Sequence, residues 1–212
     1  MSDIVICEVG PRDGLQNAKH LMPTDAKKRW ISALAAAGLR EIEVGSFVPP
    51  KLIPAMADTA EIVAHARTLP GVKTVALAPN AKGFERAVAA GAQKITFPVS
   101  ASRKHSESNV RMTPEEMAEQ VRLCCVQRDA LAAGLRVEIE AGLATAFGCT
   151  LQGVVSEDEV VRLAGQLARA GVDAIALADT VGYANPAQVR RLFRRVRAEV
   201  GDILEGAHFH NT

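Results

Sequence analysis

The sequence predicts an α/β fold, a parallel sheet covered by helices, on three observations. One pattern recurs around four glycines: Ala36-Ala37-Gly38-Leu39-Arg40-Glu41-Ile42, Ala89-Ala90-Gly91-Ala92-Gln93-Lys94-Ile95, Ala132-Ala133-Gly134-Leu135-Arg136-Val137 and Arg169-Ala170-Gly171-Val172-Asp173-Ala174-Ile175. Each closes an Ala-rich helical stretch with a glycine, takes a polar step, and enters a β-branched run. Glycine past the last helical turn adopts the left-handed conformation without steric penalty, so it ends helices. The apolar runs that follow are short and rich in Ile, Val and Leu, the composition of strands buried on both faces. The glycines lie 53, 43 and 37 residues apart, about one strand–helix unit with its loops.

The elements follow in order. A first strand near 4–8 runs into a turn-rich segment, and Thr24-Asp25 opens an amphipathic stretch reaching Ala37. Strands are expected near 41–45 and 73–78, and Asn80 precedes a helix over 81–90. After a strand near 94–98, Thr113-Pro114-Glu115-Glu116 supplies an N-cap, Pro at N1 and Glu at N3. A strand near 136–141 precedes Ser156-Glu157-Asp158-Glu159, which reads as a capping box. A strand near 174–178, a helix opened by Asn185-Pro186 and a strand near 207–210 complete the chain. Alternating strands and helices with right-handed crossovers make a parallel sheet. A doubly wound sheet and a TIM (β/α)8 barrel both fit. No glycine-rich dinucleotide fingerprint follows the first strand, and the polar, functional-looking residues fall just after strand ends, as on a barrel's C-terminal face.

Composition bounds the rest. The chain has 212 residues, 25 Lys+Arg against 24 Asp+Glu, 48% hydrophobic and 23% charged residues, which suits one soluble globular domain over 1–212. A net charge of +1 argues against a nucleic-acid surface. No apolar run approaches the ~18–20 residues of a membrane span, and the N-terminus enters a strand pattern with no room for a signal or transit segment. Cys7, Cys124, Cys125 and Cys149 form no CxxC and no disulfide framework, so reduced thiols in a cytoplasm are expected.

Four places carry possible chemistry. Val9-Gly10-Pro11-Arg12-Asp13-Gly14-Leu15-Gln16-Asn17 reads as an ordinary turn or as a functional loop. His208 and His210 flank Phe209 on the last strand, so alternation points both imidazoles one way and a buried Phe209 into the helix layer. They are either satisfied core histidines or metal ligands; in the second case a carboxylate is needed, and Asp13 is a candidate. Asp179, in Ala178-Asp179-Thr180-Val181-Gly182-Tyr183, is a loop cap or, beside a metal, a ligand-shell member or proton acceptor. Glu41, Glu43 and Gly45 share a face by alternation, so Glu43 is either lumenal and functional or a solvent-facing edge residue. Glu138 and Glu140 pose the same alternative. Cys149 reads as a buried, inert thiol.

Together these residues resemble the 3-hydroxy-3-methylglutaryl-CoA lyases, within the metal-dependent TIM-barrel lyases and Claisen-type synthases. The matching blocks are VGPRDGLQN at 9–17, EVGSFVPPKLIPAM at 43–56, APNAKGFERAVAAGA at 78–92, ALADTVGYANP at 176–186 and AHFHNT at 207–212. The second and third point to the lyase rather than to isopropylmalate or homocitrate synthases. The resemblance implies metal ligands at Asp13, His208 and His210, and an enolate-neutralising, substrate-binding role for Arg12. It implies acidic site residues involved in proton transfer at Asp179 and Glu43, and a polar substrate-side neighbour at Gln16. It further implies Mg²⁺ or Mn²⁺, an acyl-CoA substrate, a place in leucine degradation, a cytoplasmic location and a homodimer or larger homo-oligomer.

The sequence departs from that pattern in two ways. The family's catalytic cysteine, on a glycine-rich loop after the seventh strand, and a metal-binding asparagine have no counterpart before Thr212. The segment Pro98–His105 lacks the acidic residue that commonly follows its small residues, which leaves the acyl-CoA open. Seven strands then imply a barrel truncated before strand 8 and incomplete for turnover. The alternatives are a non-catalytic remnant and a related metal-dependent aldolase or Claisen enzyme. Lys51, Lys82 and Lys104 are possible phosphate contacts, though surface lysine is the plainer reading of each.

Overall fold

A computed structural model describes residues 4–132 and 134–210. Ala133, Asn211 and Thr212, part of the repeat and of the last matching block, lie outside the described residues. By contact the chain forms two compact units, Met1–Thr96 and Phe97–Thr212.

The first unit holds β1 (Cys7–Glu8), α1 (Thr24–Ala36), β2 (Glu41–Ser46), α2 (Thr59–Ala66), β3 (Lys73–Leu77), α3 (Ala81–Ala90) and the start of β4 (Lys94–Ser100). Its strands pair in parallel in chain order, β1 with β2, β2 with β3 and β3 with β4. The second unit continues β4 and adds α4 (Arg103–Val110), α5 (Pro114–Asp129), β5 (Glu138–Ala144), α6 (Glu157–Arg169), β6 (Ala174–Asp179), α7 (Pro186–Val200) and β7 (Leu204–Phe209). Here β5, β6 and β7 are parallel neighbours. The α/β class holds, with seven parallel strands alternating with helices.

Three of the four pattern glycines sit where helices end: Gly91 is the C-cap of α3, and Gly38 and Gly171 directly follow the C-caps of α1 and α6, whereas α5 already ends at Asp129, short of Gly134. Gly38, Gly91, Gly134 and Gly171 all have positive φ, between 87° and 98°, a region costly for any residue bearing Cβ. Asn80 accepts from the Gly83 amide at 2.9 Å, and Thr113 and Glu116 close a reciprocal capping box. Ser156 makes no side-chain cap, contrary to the sequence reading. Glu157 there binds Arg191 across to α7 at 2.6 Å, so the first turn of α6 is tied laterally.

Three differences have local causes. Residues 4–6 are exposed and unpaired with β2, so β1 is only two residues long. β7 starts at Leu204 rather than at 207, because Leu204 pairs with Ile175 and is buried. Two helices were not foreseen. α2 follows a proline-rich segment, and α4 is so polar that only Ser106 is buried on it, leaving no apolar period to read.

Register fixes the faces. In the second unit Ile139, Ala141, Leu143, Ile175 and Leu177 are fully buried. Glu138, Glu140 and Gly142 alternate with them on the opposite face of β5. Ala178 pairs with His208 and Asp179 with Phe209, so the sheet separates the histidine from the aspartate.

Candidate functional site

Within the first unit, the segment after β1 folds as a single π-turn over Gly10–Gly14, the Asp13 amide donating to the Val9 carbonyl at 2.7 Å. A Cβ on Gly10 would lie 2.7 Å from Glu8 Oε1, which accepts from the Gly10 amide, and 3.1 Å from the Trp30 ring, so a larger residue would displace the Glu8 carboxylate. The turn aims Arg12 at two carboxylates. Its Nε and Nη2 lie 2.7 and 2.6 Å from Glu43 Oε2, and its Nη1 donates to Asp13 Oδ1 at 2.8 Å. Glu43 is only 3% exposed, which decides between its two readings: it faces inward, and the guanidinium offsets the penalty of burying it. Glu41 on the same face is held by Lys94 at 3.1 Å.

Gly45 does not share that face. A bulge in β2 shifts the register, pairing Glu43 with Val75 but Gly45 with Ala76 and Ser46 with Leu77. Since Val75 and Leu77 lie on one side of β3, the bulge returns Ser46 to the face of Glu43 and turns Gly45 toward α2. A Cβ there would stand 2.6 Å from Thr59 Oγ1. Gln16, one residue past Leu15, is half-buried.

Within the second unit, the two imidazoles converge as the alternation predicts. His208 Nε2 and His210 Nε2 are 3.1 Å apart, with the rings edge-on. His210 Nδ1 lies 2.8 Å from the Thr180 carbonyl. A carbonyl can only accept, so the hydrogen is on Nδ1 and the Nε2 lone pair points at the convergence. Two nitrogens so separated fit adjacent corners of an octahedron with bonds of about 2.2 Å, the geometry of a hard divalent ion.

Asp179 is 3% exposed and engaged with its own loop: Oδ1 accepts from the Tyr183 amide at 2.9 Å and Oδ2 from the Ala184 amide at 3.0 Å. That is the loop-cap alternative, and it fixes the segment whose Thr180 carbonyl orients His210. Thr180 was missed by sequence reading because the functional atom belongs to the main chain. Phe209 is 50% exposed rather than buried, with its ring 5.9 Å from Phe147. Glu138 and Glu140 are half-buried on the imidazole face. Cys149 is buried as expected. Burial is the largest influence on its pKa and raises it, but hydrogen bonds from Ser102 and the Gln152 and Leu151 amides together outweigh burial and hold the thiol below its ordinary value.

The HMGL-like family pattern matches residues 3–212. The chain belongs to the HMGL-like family. It is 38% identical over 209 residues to the mitochondrial hydroxymethylglutaryl-CoA lyase of Rattus norvegicus, covering 99% of this chain and 63% of that protein. A Pseudomonas aeruginosa 3-hydroxy-3-isohexenylglutaryl-CoA/hydroxymethylglutaryl-CoA lyase is also 38% identical, over 98% of this chain and 68% of its own length. The chain thus spans a little under two thirds of the rat relative. Among solved structures, the HMG-CoA lyase of Bacillus subtilis superposes with a TM-score of 0.92 at 33% identity, covering all of this chain and 70% of that one. An Acinetobacter baumannii HMG-CoA lyase in complex with coenzyme A and 3-methylmalate gives 0.90 at 37% identity, over 99% of this chain and 67% of its own. The carboxyl transferase domain of Rhizobium etli pyruvate carboxylase, at 18% identity and a TM-score of 0.72, shares the fold alone. Over its seven parallel strands the chain therefore shares the α/β, TIM-barrel-type fold class of these family members. No helix among the described residues is long and apolar enough to cross a membrane.

Proposed function

We propose that this family member is a divalent-metal-dependent carbon–carbon lyase, cleaving 3-hydroxy-3-methylglutaryl-CoA, or a close 3-hydroxyacyl-CoA, to acetyl-CoA and acetoacetate. The observation that carries the reading is the His208–His210 pair, with its Nε2 atoms 3.1 Å apart and its orientation fixed through Thr180. Convergent imidazoles with an assigned tautomer are a metal-ligand arrangement. Asp13 completes the proposed ligand set, supported by the donor chemistry and by family membership spanning both segments. When bound, Mg²⁺ or Mn²⁺ supplies Lewis acidity at the substrate hydroxyl and a carboxylate oxygen.

The chain's own residues account for the charge that develops during the reaction. The reaction passes the proton of the tertiary hydroxyl to a base beside the metal ligands; the C3–O bond becomes a ketone as the C2–C3 electron pair moves to the thioester fragment, and an acid returns a proton to C2. That fragment carries negative charge on its oxygen until C2 is protonated. Arg12 is the group suited to that oxygen, since a fixed cation in a protected site acts where charge develops. Glu43 holds the guanidinium through Nε and Nη2, which removes the need to organise it during the reaction. Glu43 is the acidic site residue closest to Arg12 in role, and Asp179 acts by holding the loop beneath His210. On this reading Gln16 serves as a polar neighbour of the substrate. Both compact units belong to one catalytic domain on this reading, in a cytoplasmic homo-oligomer.

The test is acetoacetate release by the protein in its full natural length with added Mg²⁺. Arg12→Gln should lower the rate by at least about 10²-fold while Mn²⁺ binding persists. Full activity in that variant contradicts the mechanism, and turnover only of other 3-hydroxyacyl-CoA thioesters or 2-oxo acids would reassign the substrate.

A further inference from the structure

The bulge in β2 has a consequence for Ser46. The register of β2 on β3 sets Ser46 on the same face as Glu43, at the C-terminal end of the strand. Ser46 is 0% exposed, and its Oγ is buried without a hydrogen-bond partner among the described residues. Thr59 Oγ1 accepts from the Ser46 amide at 3.2 Å, shares its one hydrogen between the Met56 and Ser46 carbonyls at 2.8 and 3.0 Å, and does not reach the Ser46 hydroxyl. The end of the strand is therefore pinned from the helix side while the Ser46 hydroxyl points the other way. An isolated buried hydroxyl costs about 1–3 kcal/mol. Alanine would relieve that penalty at this position without changing the backbone. A hydroxyl retained there is explained by a ligand that accepts from it.

We infer that Ser46 is a substrate-contacting residue whose hydroxyl donates to an oxygen of the bound acyl thioester, on the side of the site held by Glu43 and Arg12. The inference rests on the lyase reading above and adds a contact to it. The ligand group is an oxygen acceptor, a carboxylate or thioester carbonyl, because Ser46 offers one donor and Arg12, bound to Glu43 on the same face, offers positive charge. The contact is present in the bound ground state as well as during reaction, so its loss acts on KM.

The test compares Ser46→Ala with wild type in the full-length protein, measuring kcat and KM for acetoacetate release together with the melting temperature. We expect KM to rise roughly tenfold, the loss of one donor to a polar or charged oxygen, with kcat within about threefold and the melting temperature unchanged or higher. Ser46→Thr, which keeps the hydroxyl, should lie nearer to wild type in KM than Ser46→Ala does. An unchanged KM in Ser46→Ala overturns the assignment, and so does a lowered melting temperature with kcat and KM shifting together, which marks a structural residue. An inactive wild type overturns the lyase reading itself and this inference with it. An active wild type beside an indifferent Ser46→Ala overturns only the contact.

Discussion

Replacing Asp179 by Asn separates its loop-holding role from a direct part in proton transfer. Its two carboxylate oxygens accept from the Tyr183 and Ala184 amides at 2.9 and 3.0 Å, and at 3% exposure water cannot take their place. Asparagine keeps one acceptor and turns an NH₂ toward the other amide, so one bond to a charged group is lost and one donor is stranded. Each such change is worth about 1.5–3 kcal/mol, so a local loss of roughly 3–6 kcal/mol is expected. The loop over 180–184 then loosens, and the Thr180 carbonyl releases His210 Nδ1. Removing the partner of a metal-ligating histidine typically weakens metal binding by about 10–100-fold. Titration with Mn²⁺, followed by electron paramagnetic resonance, should show that loss, with faster hydrogen exchange at the Tyr183 and Ala184 amides. Faster exchange with Mn²⁺ affinity within about twofold of wild type would refute the chain from Asp179 through Thr180 to His210.

Other perturbations test neighbouring links. Glu43→Gln strands a guanidinium whose side chain is 12% exposed; urea denaturation should register a loss of about 2–4 kcal/mol, tempered by the remaining contact with Asp13. Gly206→Ala would set a Cβ 2.6 Å from that of Ala176 and should lower the melting temperature by roughly 4–10 °C through overpacking. Glu157 has its pKa lowered, chiefly by the hydrogen bond from Arg191. Its folded pKa lies below its unfolded one, so its contribution is present above the unfolded carboxylate range and lost as pH falls through the folded value. Acid titration of stability should therefore show a smaller loss in Glu157→Gln than in wild type.

Much of this was legible in the residues. Gly38, Gly91 and Gly171 announced helix ends because the left-handed region is nearly closed to other residues, whereas Gly134 occupies that region four residues past the C-cap of α5. The His-Phe-His alternation announced the imidazole pair because side chains on a strand have a period of two. That same rule misplaced Gly45, since a bulge adds a residue on one strand only and sequence carries no mark of the partner's register. Asp179 stayed ambiguous because a carboxylate after a strand end suits a loop cap and a site equally. Only the positions of two main-chain amides distinguish these roles. Ser46 lay within the 43–56 block but gave no signal of its own, as a serine stands out only once its surroundings are known to lack a partner.

The account stands on the metal-ligand set, and Mn²⁺ stoichiometry measures it directly in the full-length protein. Wild type should bind one ion per chain, and Asp13→Ala, His208→Ala and His210→Ala should each lose it while remaining folded. Undiminished binding in all three variants, or no binding in wild type, would contradict the account.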